Sequence, residues 1–271
     1  MKQIFSHTKG MIKEPMHYCP GCTHGIIHRL VSDALVDLDI LDRAVGVSSV
    51  GCSVFTYKYF KCDMFQAAHG RAPAVATGAK RGRPELIVFT YQGDGDLAAI
   101  GTSEVIHAAN RGEKITVIFA NNAIYGMTGG QMAPTTVPGQ NTSTTPGGRN
   151  IETDGFPLMM SEVLAALRTP GYIARVSMHS PGHIIEAKKI VKKAFEYQVN
   201  GTCFSFVEFL STCPTNWGLS PSAAQKWIES DMLPYYQLGE LKTPDVSIEP
   251  DNKNKPDNKK SVKYAADGGE R

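Results

Sequence analysis

Between Ile26 and Leu38 the apolar residues Ile26, Ile27, Leu30, Val31, Ala34, Leu35 and Leu38 recur at steps of three and four, the spacing of one helical face. This predicts a helix opening just behind the Cys-Pro-Gly-Cys of residues 19–22, with Thr23 as its N-cap. Short runs of β-formers follow at Ala44 to Val50, Glu85 to Tyr91, Ile115 to Ala120, Tyr172 to Met178 and Cys203 to Leu210. Helical periodicity returns at 97–110 and 181–199. In the second stretch Ile184, Ile185, Val191, Ala194 and Phe195 form a stripe with Lys188, Lys189, Lys192 and Lys193 opposite, an ordinary amphipathic cover. Strands that are apolar almost throughout and alternate with helices predict an α/β fold. Its sheet is mostly parallel with helices on both faces, and its ligand sites lie at the carboxyl ends of the strands.

Two segments lack any such pattern. From Gly126 to Pro157 the chain is dense in Gly, Thr, Pro, Ser and Asn, and irregular loops longer than ~15 residues are uncommon unless functional or disordered. This one begins beside the strongest motif, which favours function. Residues 242–271 are rich in Pro, Asp, Asn and Lys and poor in large apolar side chains, so they read as a flexible polar tail behind one domain over 1–241. No internal repeat is present.

Composition narrows the classes. Of 271 residues, 42% are hydrophobic and 20% charged, as in ordinary globular proteins. The formal charge of +2 is too balanced to supply the phosphate attraction of a nucleic-acid binder. No apolar run approaches the ~20 residues that span a bilayer, and the first ten residues lack a secretory signal's apolar segment. The expectation is a cytoplasmic protein that engages neither nucleic acid nor membrane. Six cysteines in a chain this long are too sparse for a disulfide scaffold, leaving metal binding, redox chemistry or burial.

Gly93-Asp94-Gly95-Asp96 directly follows the strand ending in Tyr91-Gln92, and after a helix and the next strand comes Asn121-Asn122. Two strand ends bearing oxygen ligands thus face one cleft. Mg²⁺ takes near-octahedral oxygen coordination shared between one or two protein groups and substrate phosphates, a need that Asp94 and Asn122 fit. The glycines allow backbone amides to approach a diphosphate at a helix N-terminus. On its own the tetrapeptide is more often an acidic turn, but the strand–GDG–helix–strand–NN unit resembles the thiamine diphosphate motif. By that resemblance the Asp94 carboxylate, the Asn122 side-chain oxygen and the Ile124 carbonyl hold Mg²⁺, while Gly95, Asp96, Gly126 and Met127 line the diphosphate. The Asp96 side chain could instead simply cap the following helix.

The cysteines form the second signal. Cys19 and Cys22 precede a helix, Cys52 follows a strand, and Cys213 follows another strand and precedes Pro214. Iron–sulfur clusters commonly take four thiolates, often two from a CxxC. Zinc accepts four cysteines as well, although paired CxxC knuckles are its commoner form. A thioredoxin-type site would need a buried strand before Cys19, which GMIKEPMHY does not supply. Cys203, inside an apolar strand, reads as a buried small hydrophobe. Cys62 is the reserve ligand.

The series YCPGC (18–22), VGCS (50–53), HGRAPAVATG (69–78), GDGDLAAIG (93–101), NNAIYGMTGGQMAPTT (121–136) and STCPTNWG (211–218) resembles the β subunit of 2-oxoacid:ferredoxin oxidoreductases over residues 14 to 240. The resemblance implies a thiamine diphosphate-binding fold with Mg²⁺ and one [4Fe-4S] cluster on Cys19, Cys22, Cys52 and Cys213. It places further cofactor contacts on Val50, Gly51, Cys52 and Ser53 and on His69, the catalytic candidate. Arg71 is expected either to meet a substrate carboxylate or to form a structural ion pair. Lys80, Arg81 and Arg83 read as a solvated face or subunit contact. His17, His24, His28, His107, His179 and His183 receive no role.

The implied reaction is oxidative decarboxylation of a 2-oxoacid with coenzyme A, giving acyl-CoA, CO₂ and electrons that reach ferredoxin through the cluster. Implied partners are an α subunit, without which the chain is inactive, and further γ and ferredoxin-like δ subunits. A non-oxidative thiamine diphosphate decarboxylase or synthase would need the 93–122 unit but not four sulfur ligands. A CxxC redox or zinc module would leave GDGD a coincidence. For substrate, family members acting on 2-oxoglutarate or on a broad range of 2-oxoacids often carry a Lys in the loop after Ile-Tyr-Gly, where this chain has Gly129. A second carboxylate buried there without a cation would be unfavourable by several kcal/mol, whereas Met127, Met132 and Phe156 offer adaptable apolar contact. The expectation is a 2-oxoisovalerate-type substrate, with 2-oxoglutarate the alternative.

Overall fold

Strands apolar on both faces are satisfied only inside a sheet covered from both sides, and the computed structural model, which describes residues 6–244, builds that sheet. Its strands are β1 (Ala44–Ser48), β2 (Asp63–Gln66), β3 (Ile87–Gly93), β4 (Thr116–Asn121), β5 (Gly171–Ser177), β6 (Phe204–Leu210) and β7 (Gly239–Lys242). Their order is β2-β1-β3-β4-β6-β5-β7, with every pairing parallel except that of β7 with β5. The mostly parallel α/β expectation therefore holds, and the five strands read from apolar runs correspond to β1, β3, β4, β5 and β6. The edge strands β2 and β7 had no such signal: three of the four β2 residues are exposed, and β7 is only four residues long.

Helices α1 (His24–Asp37) and α6 (Pro181–Val199) cover one face of the sheet. Helices α2 (Ala72–Gly82), α3 (Thr102–Asn110) and α5 (Met160–Ala165) cover the other. Helix α6 buries Ala187, Ile190, Val191, Ala194 and Phe195, while Ile185, expected on the apolar stripe, is 62% exposed. Its lysine face is partly engaged, Lys188 reaching Asp33 and Asp37 of α1. The helix expected over 97–110 is divided: Gly95–Ile100 is π-helical and α3 begins at Thr102. Between Gly126 and Pro157 the chain is irregular apart from the single turn α4 (Ile151–Asp154). Beyond β6 lie α7 (Pro214–Trp217) and α8 (Pro221–Trp227). Lys242, assigned to the tail from sequence, belongs to β7, where its ammonium donates to the Thr169 carbonyl at 2.9 Å; residues 245–271 lie outside the described residues. Among the described residues no helix is long and apolar enough to cross a membrane.

Sheet register fixes the site. Gly93 of β3 pairs with Ala120 of β4, and Asn121 pairs with Leu210 of β6. The loops carrying GDGD, Asn-Asn and Ser-Thr-Cys consequently leave adjacent strands at one level.

Candidate functional site

Asp94 lines a cleft at these strand ends. Its side chain is 3% exposed and accepts hydrogen bonds from the Asn122 amide (3.1 Å), the Ile124 amide (3.4 Å) and the Thr135 hydroxyl (2.9 Å). Burial nevertheless pushes its carboxyl up to about 7. The Asn122 amide group lies 2.6 Å from the Asp94 carboxylate and 2.7 Å from the Ile124 carbonyl. If its nitrogen faces them, it donates to both; if its oxygen does, three oxygens converge. The second arrangement is favourable only around a shared cation, and octahedral Mg²⁺, with oxygens at ~2.0–2.1 Å, brings neighbouring ligands to a similar separation. The donor set therefore fits Mg²⁺.

Asp96 does more than end a turn. Its Oδ1 accepts from the Ser49 hydroxyl (2.7 Å), His69 Nδ1 (2.6 Å) and the Gly70 amide (2.6 Å), and its Oδ2 accepts from Gln92 Nε2 (2.5 Å). A carboxylate only accepts, so His69 carries a proton on Nδ1. The capping alternative for Asp96 does not hold, since its side chain makes no cap bond and its oxygens are taken by Ser49, His69, Gly70 and Gln92. Two backbones meet tightly here. Gly70 has φ +77°, and a Cβ on Gly101 would stand 2.6 Å from the Gly70 and Asp96 carbonyl oxygens. The π-helical segment, with the Gly101 amide bonded to Asp96 O at 2.9 Å, accommodates that approach.

The cysteines ring a second, adjoining cavity lined by Cys19, Cys22, Cys52 and Cys213, together with His17, Tyr18 and Asn216. Three long-range bonds assemble it. Thr23 stands at the N-cap of α1, but its hydroxyl meets Ser211 Oγ (2.8 Å) and the Thr212 amide (3.2 Å) instead of capping. Thr212 Oγ1 donates to Gly21 O (2.7 Å), tying the Cys213 loop to the CxxC loop. Gly126 sits between two of the sulfurs: a Cβ would lie 3.3 Å from Cys52 Sγ, a tight contact, and 3.5 Å from Cys213 Sγ. Burial pushes the Cys22 thiol up to about 12 and Cys52 to about 11, each raised further by the neighbouring thiolates. A thioredoxin-type nucleophile needs a lowered thiol pKa, so the ring suits thiolates neutralised together by a cationic group. No three His, Cys, Asp or Glu side chains among the described residues converge closely enough for a single metal ion. A tetrahedral zinc site, with Zn–S of ~2.3 Å, would bring its sulfurs to about 3.8 Å of one another.

Most of the residues expected at the site meet here. Val50, Gly51, Cys52, His69, Asp94, Gly95, Asp96, Asn122, Ile124, Gly126 and Met127 all line the cleft. Ser53 does not; it is buried, with its hydroxyl on Ser49 O. Arg71 is engaged in an ion pair with Glu104, the structural alternative. Of Met127, Met132 and Phe156, Met127 alone is at the cleft, and Phe156 is 72% exposed elsewhere. Arg81 and Arg83 pair with Glu113 and Glu85, and Lys80 donates to Pro84 O and Leu86 O. Cys62 contacts Met64, and Cys203 is fully buried. Sequence reasoning missed Ser49, Gln92 and Thr135, which hold the two aspartates. It also missed His24, which lines both cavities and bonds Tyr91 (2.6 Å). Its place one residue beyond the CPGCT segment was the available signal.

Residues 49–209 match the family described as thiamine pyrophosphate enzyme, C-terminal TPP binding domain. The chain is 50% identical over 232 residues to the ketoisovalerate oxidoreductase subunit VorA of Methanothermobacter marburgensis, an alignment covering 86% of this chain and 48% of VorA. It thus spans about half the length of that relative. It is 35% identical over 236 residues to the 2-oxoglutarate synthase subunit KorB of Archaeoglobus fulgidus, covering 86% of this chain and 84% of KorB. A solved 2-oxoglutarate:ferredoxin oxidoreductase from Magnetococcus marinus, with 2-oxoglutarate, coenzyme A and succinyl-CoA bound, superposes with a TM-score of 0.67 at 31% identity. That superposition covers 76% of this chain and 67% of the other.

Proposed function

The chain belongs to the thiamine diphosphate-binding subunits of the 2-oxoacid:ferredoxin oxidoreductases, and we propose that it is the β-type subunit in which decarboxylation and the first electron transfer take place. The reaction is coenzyme A-dependent oxidative decarboxylation of a 2-oxoacid to acyl-CoA and CO₂, with the electrons delivered to ferredoxin. One observation carries this reading: the diphosphate cleft and the cysteine ring share a wall, His24, Cys52, Asn122, Gly126 and Met127 lining both. A non-oxidative enzyme has no use for that adjacency.

In this reading Asp94, the Asn122 side-chain oxygen and the Ile124 carbonyl hold Mg²⁺, and Gly95, Asp96 and Gly126 present backbone to the diphosphate. Cys19, Cys22, Cys52 and Cys213 hold a [4Fe-4S] cluster. When bound, thiamine diphosphate supplies addition to the keto carbon and storage of the electrons left by decarboxylation, and the cluster supplies one-electron transfer. Asp96 holds the proton on His69 Nδ1, so that in the neutral ring Nε2 is ready to accept or relay a proton at the cleft. Val50, Ile100 and Met127, all more than a third exposed, give the cleft an apolar rim. Completion of that rim, and the acid that activates the cofactor, fall to an α subunit; γ and ferredoxin-like δ subunits complete the assembly.

The substrate is a branched 2-oxoacid of the 2-oxoisovalerate type. Arg71 is occupied by Glu104, Met127 lines the cleft, and identity is higher to the ketoisovalerate relative than to the 2-oxoglutarate one. The test uses the complete complex purified without oxygen. Its iron–sulfur visible absorption bleaches on adding 2-oxoisovalerate with coenzyme A, and kcat/KM ranks 2-oxoisovalerate above pyruvate and 2-oxoglutarate. Absorption that is missing or unresponsive to any 2-oxoacid overturns the oxidative reading; a clear preference for 2-oxoglutarate overturns the substrate.

A further inference from the structure

Glu208 lies in the middle of β6, within Phe-Ser-Phe-Val-Glu-Phe-Leu, and is fully buried. An ionised carboxylate has no place there unless both oxygens are matched. Oε2 accepts from Nε of Arg175, its register neighbour on β5, at 2.9 Å and also from the Ser161 hydroxyl; Oε1 accepts from Asn121 Nδ2 at 2.6 Å. Arg175, likewise fully buried, binds Glu162 through both terminal nitrogens and lies over the Tyr236 ring at 5.1 Å.

Two arms lead from this pair to Asp94. In the first, Asn121 Oδ1 accepts the Ala123 amide proton at 3.0 Å. Ala123 has φ +56°, a left-handed conformation that a Cβ disfavours. That turn aims the Asn122 and Ile124 amides at Asp94 Oδ2. In the second, the Tyr236 hydroxyl donates to the Thr135 carbonyl at 2.5 Å, and the Thr135 hydroxyl donates to Asp94 Oδ1 at 2.9 Å.

We propose that Glu208, Arg175 and Asn121 are positioning residues for the cation seat. The buried pair orients the Asn121 amide, the amide holds the left-handed turn at Ala123, and the turn sets the spacing of Asp94, Asn122 and Ile124. Only an amide side chain of this length donates to Glu208 and accepts from Ala123 at once. The inference rests on the reading of that seat as the Mg²⁺–diphosphate site.

The test uses the full chain with two readouts: thiamine diphosphate affinity by calorimetry at saturating Mg²⁺, and hydrogen exchange of amides 122–125 without cofactor. Asn121→Ala weakens affinity by between about 10- and 100-fold, the usual effect of losing an outer-shell partner, and accelerates the exchange. Adding Ala123→Gly restores most of the affinity, because Gly adopts positive φ without steric cost, a rescue that general destabilisation would not show. Glu208→Gln, which keeps the shape but weakens the grip on Asn121, moves both readouts in the same direction and serves if Asn121→Ala does not fold. Wild-type affinity in these single variants, or no recovery in the double variant, overturns the proposal. A wild-type chain that binds no thiamine diphosphate overturns the cofactor reading instead. Exchange then decides the network alone: faster in Asn121→Ala and Glu208→Gln supports it, unchanged overturns it.

Discussion

Replacing Asp94 by Asn separates the cation seat from the fold. The side chain is isosteric and neutral, and its hydrogen bonds survive. The Asn oxygen takes the bonds from the Asn122 and Ile124 amides, and its NH₂ group donates to Thr135 Oγ1 in place of accepting from it. Burial holds the Asp94 carboxyl up at about 7, so at pH 8 the ionised form opposes folding of the cofactor-free chain, whereas Asn does not. The variant without ligand should therefore unfold at or above the wild-type temperature. Ligand binding behaves differently, because the seat has lost its only anionic oxygen. At a ligand concentration 100 times Kd, binding stabilises the folded state by about 2.7 kcal/mol. For a domain of this size that raises Tm by about 5–10 °C. Scanning calorimetry with and without Mg²⁺ and thiamine diphosphate should show this rise in the wild type and none in Asp94→Asn. A variant that keeps the ligand-induced rise refutes the metal assignment. One that loses cofactor-free Tm refutes the argument that its hydrogen bonds are conserved.

Three further outcomes follow from the same geometry. Cys213→Ser in anaerobically purified protein lowers iron and sulfide well below four per chain, while Cys62→Ser and Cys203→Ser leave both unchanged; a full cluster in Cys213→Ser removes it from the ligand set. Burial holds His24 at about 4 and His28 well below 6.5, so below pH 6.5 the unfolded chain takes up protons that the folded chain refuses. Stability then falls with decreasing pH by up to about 1.4 kcal/mol per pH unit for each histidine. His28 is bonded to Tyr18 and packed against His24, Tyr59 and Tyr91; urea titrations of His28→Gln at pH 7.5 and 5 should show a shallower slope by one proton, and an unchanged slope assigns the effect elsewhere. Arg149→Lys destabilises by at least about 2 kcal/mol in urea unfolding, since three ammonium donors cannot replace a guanidinium fork bonded to several carbonyls; wild-type stability would show that the loop does not depend on it.

The parts of the fold that were legible are those whose cause is local. Five strands announced themselves as apolar runs because the sheet interior is dry on both faces. GDGD, Asn-Asn and the cysteine loops could be placed at one end because parallel strands put their carboxyl ends together. Strand β2 was invisible because its side chains, Asp63 to Gln66, are largely solvated. Helix α2 was not read because the side it buries, Ala72, Pro73 and Ala76, is built of small residues and carries no large apolar side chain to mark a period. The Asp96 hub lay out of reach for a different reason. Its partners Ser49 and His69 are 47 and 27 residues away in the chain, and a local reading of Asp96 offers a diphosphate contact or a cap but neither of these partners. Glu208 was similarly hidden, a charge that looks out of place in an apolar strand until Arg175 and Asn121 are brought beside it.

The long segment from Gly126 to Pro157 shows how order arises without periodicity. Arg149 is 6% exposed and forms no ion pair among the described residues; its guanidinium donates instead to the backbone carbonyls of Pro134 (2.8 Å), Thr136 (2.7 Å), Asp154 (3.0 Å), Gly155 (2.9 Å) and Phe156 (2.9 Å). One side chain thereby gathers both ends of a segment that has no apolar stripe. Carbonyls that would otherwise need water become the lining of its own interior. The two residues it holds at 134 and 136 flank Thr135, whose hydroxyl reaches Asp94. A cationic staple at one end of the segment is thus connected, through a threonine, to the anionic oxygen in the cleft. Glycine, threonine and proline content marked this stretch as irregular; Gly126 and Met127 reach the cleft directly, and the arginine that anchors the rest is a single residue that leaves no period to read.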